Sequence, residues 1–149
     1  MAGLRTAVLL LADSEATCVA QERPLTRAGG ASGAALLKLH TDLAPHNVLV
    51  DNRAHLIDWA WPTRGAAWID PAVLVLRLLE AGHSLTSADS VARQFPSWRS
   101  APGPAVQAFT AANAAAWAEI ARAASAPWKA AMARHARAFE TWVKTFPAK

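Results

Sequence analysis

The run Val73-Leu74-Val75-Leu76-Arg77-Leu78-Leu79 is apolar on nearly every face when wound as a helix. A helix with one apolar stripe lies on a surface, whereas a helix apolar all round has to be enclosed. Asp70 before it is suited to an N-cap, Pro71 to the first turn, and Gly82 to the stop. The span is too short to cross a bilayer, which takes about 20 apolar residues. It is therefore expected to be a core helix with the other elements packed around it. The chain has 149 residues, enough for one domain with a real core, and 53% of them are hydrophobic. Abundant Ala, seven Trp and no Tyr describe a compact, helix-rich domain rather than a disordered chain.

The net charge of +4 is modest. Much of it lies where Lys129, Arg134, Arg137, Lys144 and Lys149 accompany Glu140, and a solvated helix face is the expected reading. No basic stretch alternates with aromatic residues, so no nucleic-acid partner is expected. Cys18 is the single cysteine, which excludes an internal disulfide and a thiolate metal cluster and makes the cytoplasm the expected location. Thr6 to Ala12 follows Arg5 and precedes Cys18-Val19-Ala20, a faint likeness to a signal peptide that Asp13 and Glu15 oppose. No membrane partner is expected.

Taken in order, residues 1–20 read as a helix or as a strand plus turn. Ala28 to Gly33 is a flexible connector, and Leu36 to Leu39 a strand. Val48-Leu49-Val50 and His55-Leu56-Ile57 flank Asp51-Asn52-Arg53-Ala54, which predicts a β-hairpin. Trp59 to Ile69, with Pro62 and Gly65, is expected to be an irregular loop. Thr86-Ser87-Ala88-Asp89 resembles a capping box opening a short helix to about Phe95, and Pro96 to Pro104 a break. A helix is predicted over 105–123 with Val106, Phe109, Trp117 and Ile120 on one side. A last helix, capped by Ser125 with Pro127 in its first turn, carries the stripe Trp128, Met132, His135, Phe139, Trp142 and Phe146. The fold class is α+β, mostly α, in a single domain over 1–149. Residues 1–35 are its N-terminal segment and linker, 36–82 its loop, hairpin and central helix, and 83–149 its helical subdomain.

The residues able to do chemistry concentrate in Leu39-His40-Thr41-Asp42-Leu43-Ala44-Pro45-His46-Asn47 and in Asp58-Trp59. Polar groups between two apolar strands are where proton or metal chemistry is first sought. The hairpin folds the chain back, so Asn47 and Asp58 at its two ends can converge on one ion. A metal hydrolase using His40, Asp42 and His46 with Asp58 nearby is a rival reading, opposed by Pro45, which disfavours a helix aligning the two histidines. Thr41 and Ser32 have no evident His/Asp arrangement for nucleophilic catalysis.

The pattern His40-x-Asp42-x-x-x-x-Asn47, an apolar run, then Asp58 resembles the catalytic and metal-binding loops of the kinase superfamily. In the form LHTDLAPHNVLV and LIDWAW it is most similar to the aminoglycoside phosphotransferase and choline kinase branch, as is Asp70-Pro71-Ala72 before a hydrophobic helix. The resemblance spans roughly residues 36–82 with motifs. It implies a kinase-like C-terminal lobe whose small hairpin carries the catalytic and metal loop. It also implies ATP-dependent phosphoryl transfer to a hydroxyl of a small molecule. Asp42 would be the catalytic carboxylate, Asn47 and Asp58 would hold Mg2+ and through it ATP, and His40 and Asp70 would be structural support. Only 39 residues precede His40, fewer than the family's N-terminal lobe and the helices leading into its loop require. The expected partners are a small hydroxylated substrate and an N-terminal lobe that is largely missing here. The alternative is a catalytically incompetent remnant or a binding module of the same fold. Ala44 and Thr41 depart from the residues common in relatives, and the Asn47–Asp58 segment is slightly short. Residues 86–146 have few acidic groups, Asp89, Glu119 and Glu140, a sparse lining for a polycationic aminoglycoside.

Overall fold

A computed structural model of the chain describes residues 36–52, 54–59 and 62–145. The expectations placed on residues 1–35 and on Phe146 lie outside them. The architecture is a mostly helical α+β fold, with two small antiparallel strand pairs followed by five helices. Strand β1 (Leu36–Leu39) leads through the His40–Ala44 loop and a 3-10 turn (Pro45–Asn47) into β2 (Val48–Val50), β3 (Ala54–Leu56) and β4 (Thr63–Ala66). The helices are α1 (Ile69–Glu80), α2 (Leu85–Ala92), α3 (Pro96–Arg99), α4 (Gly103–Ala123) and α5 (Pro127–Val143). No helix among the described residues is long and apolar enough to cross a membrane.

The hairpin forms as its turn chemistry predicts, pairing Val48 with Leu56, Leu49 with His55 and Val50 with Ala54. The loop expected over Trp59–Ile69 is not irregular throughout. Thr63–Ala66 forms β4 and pairs with β1, Leu36 with Ala66 and Leu39 with Thr63. Neither β-propensity nor alternation marks this segment, and its strand character comes from its partner. Gly65 is required by that pairing, since a Cβ there would stand 2.6 Å from the Leu39 Cδ1. Leu39 is buried. The missing side chain lets the strands close over it.

Helix α1 is enclosed as its composition demands. Pro71, Ala72, Leu74, Val75, Leu76, Leu78 and Leu79 are all buried. It packs against α2, α3 and α5. Each large aliphatic side chain so buried contributes about 1.5–3 kcal/mol of transfer free energy. The helix stops in a Schellman turn, with Gly82 at φ 87°. The His83 N–H donates to the Leu78 carbonyl and the Gly82 N–H to that of Leu79, both at 2.9 Å.

Three boundaries shift by local chemistry. Ser84, not Thr86, caps α2 by accepting the Ser87 N–H at 3.2 Å, and the helix ends at Ala92. Asp89, expected in the cap, is buried and accepts from the Trp98 Nε1–H at 3.0 Å while pairing with Arg93. The expected break at 96–104 contains the one-turn α3, opened by Pro96. Ser125 does not cap α5, whose N-cap is Ala126 with Pro127 next.

Helices α4 and α5 are joined by three residues and pack along each other. The buried face of α4 is Val106, Thr110 and Ala114, with Phe109 and Trp117 partly covered and Ile120 exposed. On α5 the buried residues are Met132, Ala136, Phe139, Glu140 and Val143. Trp128 is exposed, and His135 and Trp142 are only partly covered. Met132 and Phe139 of the expected stripe are thus in the core, together with Ala136 on α5 and Ala114 on α4.

Candidate functional site

Strand β1 delivers the chain into the core at Leu39, and His40 follows, 3% exposed. Two consecutive backbone N–H groups then point at one carboxylate. The His40 N–H donates to Asp70 Oδ2 and the Thr41 N–H to Oδ1, each at 2.9 Å. This geometry needs a sharp turn, and Thr41 supplies it at φ 60°. A β-branched residue in the left-handed region costs about 1–2 kcal/mol. Hydrogen bonds to a charged acceptor contribute about 1.5–3 kcal/mol each and offset it. Asp70 was expected as an N-cap. It is instead the second residue of α1, behind Trp68, and makes no capping bond. Its carboxylate still lies in the first turn, where the helix dipole favours negative charge.

The His40 ring joins the other end of the motif. Its Nε2 lies 2.7 Å from the Ile57 carbonyl and its Nδ1 3.3 Å from the Asp42 backbone N. A carbonyl can only accept and an N–H can only donate. The contacts therefore select the tautomer with its proton on Nε2. The Trp59 ring stands edge-on to the imidazole at 4.7 Å, and the Lys38 ammonium sits 5.0 Å from the Trp59 ring centre. The Trp59 Nε1–H donates to the Leu56 carbonyl at 3.0 Å.

Asp42 is exposed, yet both of its carboxylate oxygens are engaged. Oδ2 accepts from Asn47 Nδ2 at 3.1 Å, and Oδ1 from an Arg77 guanidinium nitrogen at 3.0 Å. Asn47 Nδ2 also donates to the Asp42 carbonyl at 3.1 Å. Asn47 is buried at 2% exposure and closes the 3-10 turn by donating its N–H to the Ala44 carbonyl at 2.9 Å. Its carbonyl accepts the Ile57 N–H at 3.0 Å, one rung beyond the Val48–Leu56 pair. Ile57 is thus tied on its N–H side to Asn47 and on its carbonyl side to His40. Asp58 follows at φ 59° and is exposed. Its carboxylate has no hydrogen-bond or ion-pair partner among the described residues.

The structure therefore brings Asp42 and Asn47 into direct contact and hangs Asp58 from a backbone anchored to both Asn47 and His40. It forms no hydrogen bond between Asp58 and Asn47. Asn47 commits its amide nitrogen to Asp42, which leaves its side-chain oxygen as the atom that could serve a hard cation. The three-ligand set of His40, Asp42 and His46 is not assembled. His46 is exposed, His40 is spent on backbone partners, and among the described residues no three His, Cys, Asp or Glu side chains are placed to hold a metal.

Arg77 is the residue that sequence reading passed over. Its guanidinium bridges Asp42 and Glu80, each at 3.0 Å, with the side chain 19% exposed. A signal was present, because one cation within a run that must be buried needs a carboxylate partner. No family model, no curated protein and no solved structure matches the chain.

Proposed function

We propose that this domain is the catalytic-loop half of a phosphotransferase that moves the γ-phosphoryl group of ATP to a hydroxyl of a small molecule. The observation that carries the reading is the state of Asp42: an exposed carboxylate fixed through Asn47, on a loop tied to the hairpin end that presents Asp58, which has no partner among the described residues. Phosphoryl transfer asks little covalent chemistry of a protein. It needs a carboxylate at the attacking hydroxyl and hard oxygen ligands for the cation on the phosphates. Asp42 orients that hydroxyl and takes its proton. The Asn47 carbonyl oxygen and the Asp58 carboxylate would hold Mg2+, for which they are hard oxygen donors. Bound magnesium-ATP supplies the phosphoryl group and neutralises its charge. His40 and Asp70 hold the loop and touch neither reactant. A polycationic acceptor would find few carboxylates in the helical half, where Asp89 and Glu140 are ion-paired and Glu119 is exposed on α4.

A second reading, a non-catalytic module of the same fold, is favoured by one observation: Arg77 already occupies an Asp42 oxygen. Titration calorimetry with magnesium-ATP separates the two. The enzyme reading expects binding that Asp58→Ala abolishes, and phosphate transfer that Asp42→Ala abolishes while nucleotide still binds. Absence of any binding by the wild-type chain refutes the claim that it acts unaided.

A further inference from the structure

We infer that Arg77 is a positioning residue for Asp42: from the core helix it sets the angle at which the carboxylate meets the acceptor hydroxyl. The inference rests on the phosphotransferase reading and adds a residue to it.

A carboxylate on an exposed loop turns about its Cβ–Cγ bond at little cost, and a misplaced base loses rate steeply. Here the two oxygens are held from opposite directions. Asn47 takes Oδ2 from within the loop, and Arg77 takes Oδ1 from α1, 35 residues along the chain. The two holds differ in stiffness. Asn47 moves with the loop it belongs to. Arg77 projects from the most enclosed helix, between buried Leu76 and Leu78, and its second branch is fixed by Glu80. A guanidinium suits this task because its planar fork reaches two carboxylates at once. A lysine ammonium matches the charge without the fork.

The same helix carries Asp70, which grips the loop at His40 and Thr41. One rigid element therefore fixes the backbone on one side of Asp42 and its side chain directly. Asp42 retains lone pairs on both oxygens for a hydroxyl, because each oxygen carries a single described hydrogen bond. Among the described residues Arg77 makes no hydrogen bond to Asn47 or Asp58, so the proposed cation donors are independent of it.

The test uses the full chain and the variants Arg77→Met, Arg77→Lys and Glu80→Gln. The first readout needs no nucleotide. The Asn47 side-chain amide donates to Asp42, so its hydrogen exchange by NMR reports how firmly that carboxylate is held. Exchange is expected to rise severalfold in Arg77→Met and less in Arg77→Lys and Glu80→Gln. The second readout is magnesium-dependent hydrolysis of ATP, with water as acceptor. In Arg77→Met, kcat is expected to fall about 10- to 100-fold, the range for a misplaced catalytic group, with the KM for magnesium-ATP unchanged. Arg77→Lys is expected to recover part of the loss. In an Asp42→Asn background Arg77→Met should then have little further effect on rate, because it acts through a group already removed. Unchanged Asn47 exchange, or an equal loss of rate in both backgrounds, overturns the Arg77 assignment. A wild-type chain that neither binds nor hydrolyses magnesium-ATP, while Asn47 exchange responds to Arg77→Met, overturns the reading that this chain transfers phosphate unaided and leaves Arg77 a structural clamp in it.

Discussion

His40 donates its Nε2–H to the carbonyl of Ile57 at 2.7 Å, joining two segments separated by 17 residues. The ring is buried, and its other nitrogen accepts the Asp42 N–H, so one side chain fixes the backbone on both sides of the candidate site. His40→Phe keeps an aromatic ring but leaves the Ile57 carbonyl and Asp42 N–H without this partner. An expected loss of about 2–3 kcal/mol in urea unfolding follows from the penalty for unsatisfied buried polar groups. A loss under 0.5 kcal/mol would show that water reaches both groups.

Asp70 offers a sharper probe of the same loop, because its two oxygens serve two donors at 2.9 Å. Asp70→Asn replaces one acceptor by an NH2 group that must face a backbone N–H. Destabilisation of about 2–4 kcal/mol is expected, close to that of Asp70→Ala, since charge-assisted bonds are lost and a donor is opposed to a donor. Hydrogen exchange at the His40 and Thr41 amides should accelerate in both variants. Retained protection in Asp70→Asn would refute the two-pronged grip.

Thr41 shows where local preference yields to that grip. Its φ of 60° is uncommon for a β-branched residue, whereas Asn tolerates it. Thr41→Asn is expected to stabilise the fold by about 0.5–1 kcal/mol, part of the strain associated with the left-handed region. A fall in thermal midpoint would mean that the Thr41 side chain makes a compensating contact.

These residues also mark how far the sequence could be read. The enclosed helix, its glycine stop and the 48–56 hairpin follow from short-range rules, because hydropathy and turn chemistry act within a few residues. The hairpin pointed to Asn47 meeting Asp58, whereas the side-chain contact Asn47 makes is with Asp42 on its own loop. Strand β4 could not be found, because Thr63–Ala66 owes its conformation to β1 and not to its own propensity. The tie from Ile57 to His40 involves a backbone carbonyl, which no residue type announces. Asp70 looked like a cap because Asp before a helical run usually is one. Its use by the loop 29 and 30 residues earlier is a tertiary choice. On α4 and α5 the stripes held at Val106, Met132 and Phe139, which are buried, and failed at the far ends, where Ile120 and Trp128 are exposed.

Gly65 tests the β1–β4 pairing directly. An added Cβ would lie 2.6 Å from Leu39 Cδ1 and 3.1 Å from Ile69 Cδ1. Both neighbours are side-chain ends that can shift, but Leu39 is 2% exposed and has little room. Gly65→Ala is expected to cost about 1–2 kcal/mol, within the usual range for overpacking. The added Leu39→Val change should recover part of it by shortening the opposing side chain. Additive losses in the double variant would place the strain elsewhere.

The pH response of the helical half should centre on Glu140. It is buried on α5, accepting from Lys144 Nζ at 2.8 Å and from an Arg137 guanidinium nitrogen at 2.6 Å. The hydrogen bond from Lys144 holds its carboxyl below the ordinary glutamate range, aided by the charges of Arg137 and Lys144 and opposed by burial. A group whose acidity is strengthened by folding binds fewer protons folded than unfolded. Its contribution is therefore fully present above the unfolded glutamate value of about 4.3 and is lost as the pH falls through the lower folded one. Glu140→Gln should lower the thermal midpoint most at pH 6–7, and the gap from wild type should shrink as the pH falls below about 4. Both cations are largely exposed, so added salt should also narrow the gap at neutral pH. A gap that stays constant from pH 7 to pH 3 would assign the effect to packing around the carboxyl group rather than to its charge.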